Sequence, residues 1–278
     1  MLPARELLQK GIRLLTEAGI TDAEVDARIL LEEICHITRT DLLLRPTQEV
    51  EESQYLACIE KRLRHIPLQH ILGKAPFMGH SFYVSDKVLV PRADTEILTE
   101  LAINALPADG RVLDLCTGSG CILCSVLLAM EMATGEGIDI SVEALEIAQK
   151  NLQQFPSLEN RGKVYQSNLF ENVESTFDVI VSNPPYICTD VIETLSPEVK
   201  DHDPRLALDG GVDGLDFYRS IIQQAGSYLK DGGQLLFEIG YDQGMAVSNL
   251  MTEKGFVEVT VIKDYAGLDR VVKGIWLK

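Results

Sequence analysis

Four consecutive residues, Asn183-Pro184-Pro185-Tyr186, gather hydrogen-bonding groups of fixed direction. They end the run "FDVIVS" (177–182), whose β-branched and apolar residues predict a buried strand. A central strand cannot continue through two prolines, because each lacks the amide donor that a neighbouring strand needs. What the four residues offer instead is acceptors. Asn183 brings a carboxamide oxygen and Pro184 a main-chain carbonyl. Pro185 keeps the residue before it out of the helical region, which aims that carbonyl. Tyr186 adds a flat face. The set suits a planar nitrogen group held by both its N–H bonds, an amide or an aromatic amine. As bare structure, the same residues are a proline-stopped strand entering a loop.

A second group lies in "LDLCTGSGCIL" (113–123), at the end of the strand "RVLDLC" (111–116). Gly118 and Gly120 let the backbone turn tightly beside a ligand, and the helix that follows presents its first amides there. A dinucleotide fingerprint needs Gly or Ala three residues after the second glycine, and that position is Leu123, so NAD is disfavoured. Asp139 ends the next strand, where an acidic side chain reaches ribose hydroxyls. In "QSNLF" (166–170), the Asn168 amide is placed to bond an adenine edge and Leu169 to pack on the ring. Each alone is an ordinary turn residue. At the tips of three successive strands, they outline an adenosine-sized crevice.

The elements that must hold these groups follow from periodicity. Residues 1–73 read as a small helical domain: an amphipathic stretch from Ala4 to Ala18, a capping box at Thr21-Asp22-Ala23-Glu24 before "VDARILLEEICHI", and a third stretch, "EESQYLACIEKRLRHI", stopped by Pro67. Its Lys61, Arg62 and Arg64 form a basic cluster, either a solvated face or a contact surface for a partner. Residues 74–96 read as a hairpin and connector. From 97 to 278 strands alternate with helices, which predicts an α/β fold with a mostly parallel, Rossmann-like sheet of seven strands. The further strands are "GEGIDI", "GKVYQS", "GQLLFEI", "FVEVTVI" and "VVKGIWL". The last two lack a helix between them and predict an antiparallel edge pair. Gly232-Gly233-Gln234 reads as a helix-to-strand turn.

Composition narrows the class. With 46% hydrophobic residues the chain can bury a sizeable core. The formal charge of −17 concentrates after residue 80, with 15 basic against 30 acidic residues, which opposes direct binding of a phosphate backbone. No segment reaches the roughly 18 apolar residues of a membrane span. The six cysteines, Cys121 and Cys124 among them, fall mostly in apolar runs and read as free thiols of a reducing cytoplasm. The five histidines show no ligand spacing, so no metal is expected.

The strings "VLDLCTGSGCI", "GIDIS" and "VSNPPYI" resemble the S-adenosylmethionine-dependent methyltransferases. With "PRADTE" (91–96), "PEVKDHDPRLALDGGVDGLDFYR" (197–219), "DYAGLDRVV" (264–272) and the helical leader, nearly the whole chain is similar to the peptide chain release factor N(5)-glutamine methyltransferase family. The chain departs from the family's pattern at Cys116, where glycine is common, at Asn168, where an acidic residue is common, and at Asp203, where Glu often stands. The resemblance implies a donor site at Cys116, Thr117, Gly118, Ser119, Gly120, Asp139, Asn168, Leu169 and Asn183. It implies a substrate site at Asn183, Pro184, Pro185 and Tyr186, with Asn183, Pro184 and Tyr186 catalytic. The expected substrate is the glutamine of a Gly-Gly-Gln tripeptide in class I release factors, and the expected product S-adenosylhomocysteine. The enzyme is expected to be a monomer whose leader grips the protein partner. An adenine-amino methyltransferase for DNA or RNA, and a glutamine methyltransferase for a ribosomal protein, use the same motif chemistry. Arg92 and Glu96 read either as a surface ion pair or as a buttress of the cleft.

Overall fold

A computed structural model describes residues 1–278. The chain divides into two units, Met1–Lys74 with Ser196–His202, and Ala75–Leu195 with Asp203–Lys278.

The first unit is built from α1 (Ala4–Glu17), α2 (Ala23–Cys35), α3 (Ser53–Leu63) and α4 (Leu68–Leu72). Leu7, Gly11 and Leu15 recur every four residues on α1 and are buried. Gly11 is required there, because a Cβ would lie 1.9 Å from the Tyr55 hydroxyl. Leu30, Leu31, Tyr55 and Ile59 complete this core. The capping box expected at Thr21 does not form: α2 starts after Asp22 with no side-chain cap. The box lies instead at Thr38, whose hydroxyl accepts from the Asp41 amide at 3.1 Å while the Asp41 carboxylate accepts from the Thr38 amide at 3.1 Å.

Arg62 also departs from its expected place on a basic surface. It follows Tyr55 and Ile59 on the inward face of α3 and is 4% exposed. Its Nε donates to Asp26 Oδ2 at 2.6 Å and its Nη2 to Glu198 in the short helix Pro197–Lys200. Burial raises the Asp26 pKa while Arg62 opposes the rise. Removing one partner of such a pair strands a buried charge, whereas removing both does not. Arg62→Ala should therefore cost about 3–5 kcal/mol in urea unfolding, and Asp26→Leu combined with Arg62→Met much less.

The second unit opens with strands Lys74–Phe77 and His80–Tyr83 and with α5 (Ala93–Ala105). There follow β1 (Arg111–Leu115), α6 (Cys121–Ala129), β2 (Thr134–Asp139), α7 (Val142–Gln153), β3 (Gly162–Gln166) and β4 (Phe177–Ser182). Then come α8 (Asp216–Ala225), β5 (Leu229–Glu238), α9 (Gly244–Lys254), β6 (Val257–Lys263) and β7 (Asp269–Ile275). The seven strands are ordered β6-β7-β5-β4-β1-β2-β3. β7 runs antiparallel to both β5 and β6, and the other pairings are parallel, as the sequence predicts. No helix is long and apolar enough to cross a membrane.

Alternation along the strands makes two cores. Val112, Val179, Val181, Leu236 and Val271 pack on one face with Leu98 of α5 and with α6, which is apolar but for Ser125. Leu113, Ile180, Leu235, Phe237 and Val272 pack on the other with Tyr218 and Ile221 of α8 and Met251 of α9. A strand covered on both sides carries no polar face, which is why β1 and β4 read as near-continuous apolar runs. Gly232-Gly233-Gln234 is not a helix-to-strand turn. It lies inside β5, where the pairing with β4 jumps from Phe177–Leu229 to Val179–Gln234, and Gly232 takes φ +76°.

Candidate active site

Register alone brings the chemistry-bearing residues together. Leu115 at the end of β1 pairs with Ile138 of β2 on one side and Ser182 of β4 on the other. The next residues, Cys116, Asp139 and Asn183, therefore emerge side by side at the carboxyl edge, where the order of strands reverses and ligands of such sheets bind. They border one open cleft. Thr117, Gly118, Ser119, Asn168, Leu169 and Pro185 also line it. Gly120, Pro184 and Tyr186, predicted as site residues, do not.

The glycine loop is shaped by two carboxylates. Asp114 is fully buried; its Oδ2 accepts from the Thr117 hydroxyl at 2.6 Å and the Leu123 amide at 3.2 Å. One of the helix-start amides that the sequence offers to a ligand is thus already taken. Burial pushes the Asp114 pKa up to about 7. Asp139 Oδ2 accepts from the Gly118 amide at 2.9 Å and Oδ1 from the Ser141 amide at 3.0 Å, while burial raises its pKa. Gly118 has φ +53°, and a Cβ there would meet nothing within 4 Å. Its backbone faces open space, as a ligand cradle requires. Gly120, at φ +76°, is turned instead to α7, where a Cβ would lie 3.1 Å from Ala148. It is a packing glycine. Cys116 itself has φ +59°, a left-handed conformation that favours glycine. Asn168 donates to Glu171 at 2.8 Å and keeps its carbonyl oxygen for another partner.

On the β4 side of the loop, Asn183 donates through Nδ2 to the Thr95 hydroxyl at 3.3 Å. Pro184 and Pro185 are buried. Tyr186 is half-buried: its side chain packs against the second core, and its hydroxyl lies 3.5 Å from Glu238 Oε1. Burial and the nearby Glu238 push its pKa up. Its carbonyl accepts from Gln243 Nε2 at 3.0 Å, and the same nitrogen donates to the Gly214 carbonyl at 3.2 Å. The loop 209–214 presses on this backbone so closely that a Cβ at Gly210 would lie 2.7 Å from Tyr186 Cα, and one at Gly214 2.3 Å from Tyr186 O.

Arg92 and Glu96 do not pair with each other. Arg92 Nη2 donates to the buried Asp203 at 2.8 Å, and Glu96 accepts from the Met78 amide at 2.5 Å. Sequence reasoning missed much of the wall: Val88, Val90 and Thr95 before the sheet, and Pro204, Leu206 and Phe217 after β4. None belongs to a periodic pattern that points to a ligand. The flanking "PRADTE" and "DHDPRLAL" strings, noted only for the resemblance, were their signal.

A seven-stranded sheet with a glycine loop and Asn-Pro-Pro-Tyr at adjoining strand ends defines a methyltransferase, and residues 92–195 match the methyltransferase small domain. A crystal structure of a methyltransferase from Pyrococcus furiosus shares the fold, with TM-score 0.57 and 19% identity over 79% of this chain and 100% of that one. Residues 6–73 match the PrmC N-terminal domain. The release factor glutamine methyltransferase of Agrobacterium fabrum is 42% identical over 267 residues, covering 93% of this chain and 92% of its own. That of Clostridium botulinum is 39% identical over 279 residues, covering 97% and 98%. The chain belongs to the release factor glutamine methyltransferase family.

Two predictions follow from the loop contacts. The raised Asp114 pKa is a cost of ionisation: its contribution is whole below the usual carboxylate range and is lost as pH rises to about 7. Asp114→Asn should gain on the wild type between pH 4 and pH 8 by up to about 4 kcal/mol, read from urea unfolding at both pH values. Gly214→Ala, at φ +71° and against Tyr186 O, should displace the loop and cut methyl transfer without lowering affinity for the donor.

Proposed function

We propose that the chain transfers a methyl group from S-adenosylmethionine to the side-chain amide nitrogen of the glutamine in the Gly-Gly-Gln motif of class I peptide chain release factors. The observation that carries this reading is that Asn183 and the Gly118 backbone border one cleft, at the ends of paired strands, in a chain of this family. The donor, when bound, supplies an electrophilic methyl on a sulfonium. The Gly118 and Ser119 backbone would hold it, with Asp139 accepting from ribose hydroxyls. An ionised carboxylate has about four acceptor sites, and two amides occupy only part of that capacity. Leu169 and Ile140, with the Asn168 carbonyl oxygen, would take the adenine.

Asn183 Oδ1 accepts one N–H bond of the substrate amide at the cleft, and the carbonyl of the next residue, Pro184, which adjoins the cleft wall without forming part of it, accepts the other. An amide nitrogen is a poor nucleophile because its lone pair is delocalised, so holding both hydrogens turns the nitrogen toward the donor carbon. Such alignment is worth about 7–11 kcal/mol over free encounter. The nitrogen sheds a proton readily once alkylated, so no strong base is demanded. Tyr186, tied at its carbonyl and packed beneath the motif, serves as a wall that keeps Pro184 and Pro185 in place. The helical unit grips the protein partner. Supporting this, Leu43 and Leu44 of the short helix Arg39–Leu44 stand 76% and 75% exposed. The six free cysteines fit action in the reducing cytoplasm.

Labelled S-adenosylmethionine with purified release factor should label the wild-type substrate and not a variant whose target glutamine is changed; equal labelling would refute the assignment. Asn183→Ala should abolish transfer while donor affinity stays within about fivefold, since one uncharged hydrogen bond is worth ~1 kcal/mol. Asp139→Ala should weaken donor binding roughly ten- to hundredfold in calorimetry, the scale of a hydrogen bond to a charged group. Charges at Leu43 and Leu44 should raise KM for the release factor with kcat unchanged.

A further inference from the structure

Glu238, the last residue of β5, is 2% exposed and bonded to no cation. Buried carboxylates are ordinarily paired or fully hydrogen-bonded, yet its Oε2 has no hydrogen-bond partner within normal reach. The nearest cation, Arg270 of β7, spends its bonds on Asp264 at 3.1 Å and on Asp94 of α5 at 3.4 Å. What faces the carboxylate is neutral: the Tyr186 hydroxyl at 3.5 Å, and the Thr95 and Asn183 side chains, whose hydrogen bonding lowers its pKa against the effect of burial. The Tyr218 hydroxyl of α8 donates to the Glu238 main-chain carbonyl at 2.9 Å and leaves the carboxylate alone.

These contacts form a directed chain. An ionised carboxylate only accepts, so the Thr95 hydroxyl turns its hydrogen to Glu238, and Asn183, which also hydrogen-bonds this carboxylate, can do so only through Nδ2. The Thr95 oxygen then has only lone pairs for Asn183, which must answer with Nδ2, as the 3.3 Å contact has it. A carboxamide with Nδ2 turned inward presents Oδ1 outward. We propose that Glu238 is a positioning residue that, directly and through Thr95, fixes which end of the Asn183 carboxamide faces the cleft.

The orientation matters because a substrate amide held by its N–H bonds needs an acceptor, and Nδ2 in that place would set donor against donor. Protonation reverses the chain: a neutral Glu238 donates to Thr95, Thr95 donates to Asn183 Oδ1, and the amide turns over. Burial raises the Glu238 pKa to about 7, opposed first by the Thr95 hydrogen bond and then by Arg270, while Asp94 raises it. The acceptor-out state therefore fills as pH rises through neutrality and empties below it. The value for catalysis rests on the function proposed above; the orientation itself does not.

The experiment uses the free, full-length protein with 15N-labelled asparagine, the Asn183 side-chain signals being assigned by their loss in Asn183→Asp. Between pH 5.5 and 8.5 the wild-type Asn183 amide signals should shift with a midpoint near 7, and in Glu238→Gln they should not shift. Signals that stay still in the wild type, or that shift equally in Glu238→Gln, overturn the proposal. Since no substrate or donor is present, failure to methylate a release factor would refute only the functional reading. In the transfer assay, Glu238→Gln should lower kcat at pH 8 roughly ten- to hundredfold, the scale of a lost hydrogen bond to a charged group, with KM little changed. Glu238→Asp should restore part of it. Asp114 also titrates near 7, so the amide signals, not the rate profile, assign the effect to Glu238.

Discussion

The arrangement of the site depends on the last rung between β1 and β4. Leu115 and Ser182 face each other there, and the Ser182 hydroxyl donates to the Leu115 carbonyl at 2.8 Å. Parallel strands have evenly spaced rungs, so a register set deep in the sheet decides which residues leave it together. A slip of one residue would turn Val179, Ile180 and Val181 to the wrong faces and empty both cores at once. The hydrophobic alternation of β4 thus secures the chemistry beyond its end, although no apolar side chain of that strand touches the cleft.

What replaces the sheet after Ser182 is a different kind of order. Two prolines donate nothing, so the backbone there is held mainly through its carbonyls and from the far side of the motif. Ile187 donates to Leu208 O at 3.0 Å, Gly210 donates back to Ile187 O at 2.8 Å, and Gln243 clasps Tyr186 O and Gly214 O. Gln243 Oε1 in turn accepts from the Gly240 amide at 2.9 Å. Glycines at 210 and 214 let one stretch of backbone lie against another with no side chain between them. The result is an Asn-Pro-Pro-Tyr turn stiff enough to aim groups, on a loop rather than on a strand.

The strands and the cleft floor were legible because they rest on local rules: apolar runs bounded by glycine, an acid at a strand tip, prolines that stop a ladder. Asp139 and Asn183, which border the cleft, were read that way. The misreadings share a cause. Arg62 looked solvated because charge predicts exposure, but its place on the inward face of α3 is settled by Asp26, 36 residues earlier. Thr21 has the capping spacing and Thr38 performs the capping, since local preference does not decide where a helix begins once packing does. Tyr186 reads as a face for the substrate, and the sequence does not show that its half-buried ring also packs against the second core. Gly120 and Gly118 read alike in the sequence, and only the neighbouring Ala148 separates packing from cradle. The cleft's upper wall, from Pro204 to Ala207, carries no periodic signal at all.

Segment Ser196–His202 groups with the leader helices although its flanks belong to the sheet unit. Glu198 from this segment bonds Arg62, and the His202 ring meets the Arg64 carbonyl at 2.8 Å. The leader is consequently not modular in the genetic sense. A fragment ending at Lys74 would carry the guanidinium without one of its two carboxylates, and a sheet fragment starting at Ala75 would carry a seven-residue insert with nothing to fold upon. Recombination or domain swapping between relatives would have to exchange both pieces in concert, which ties the inheritance of the leader to that of a loop more than a hundred residues downstream.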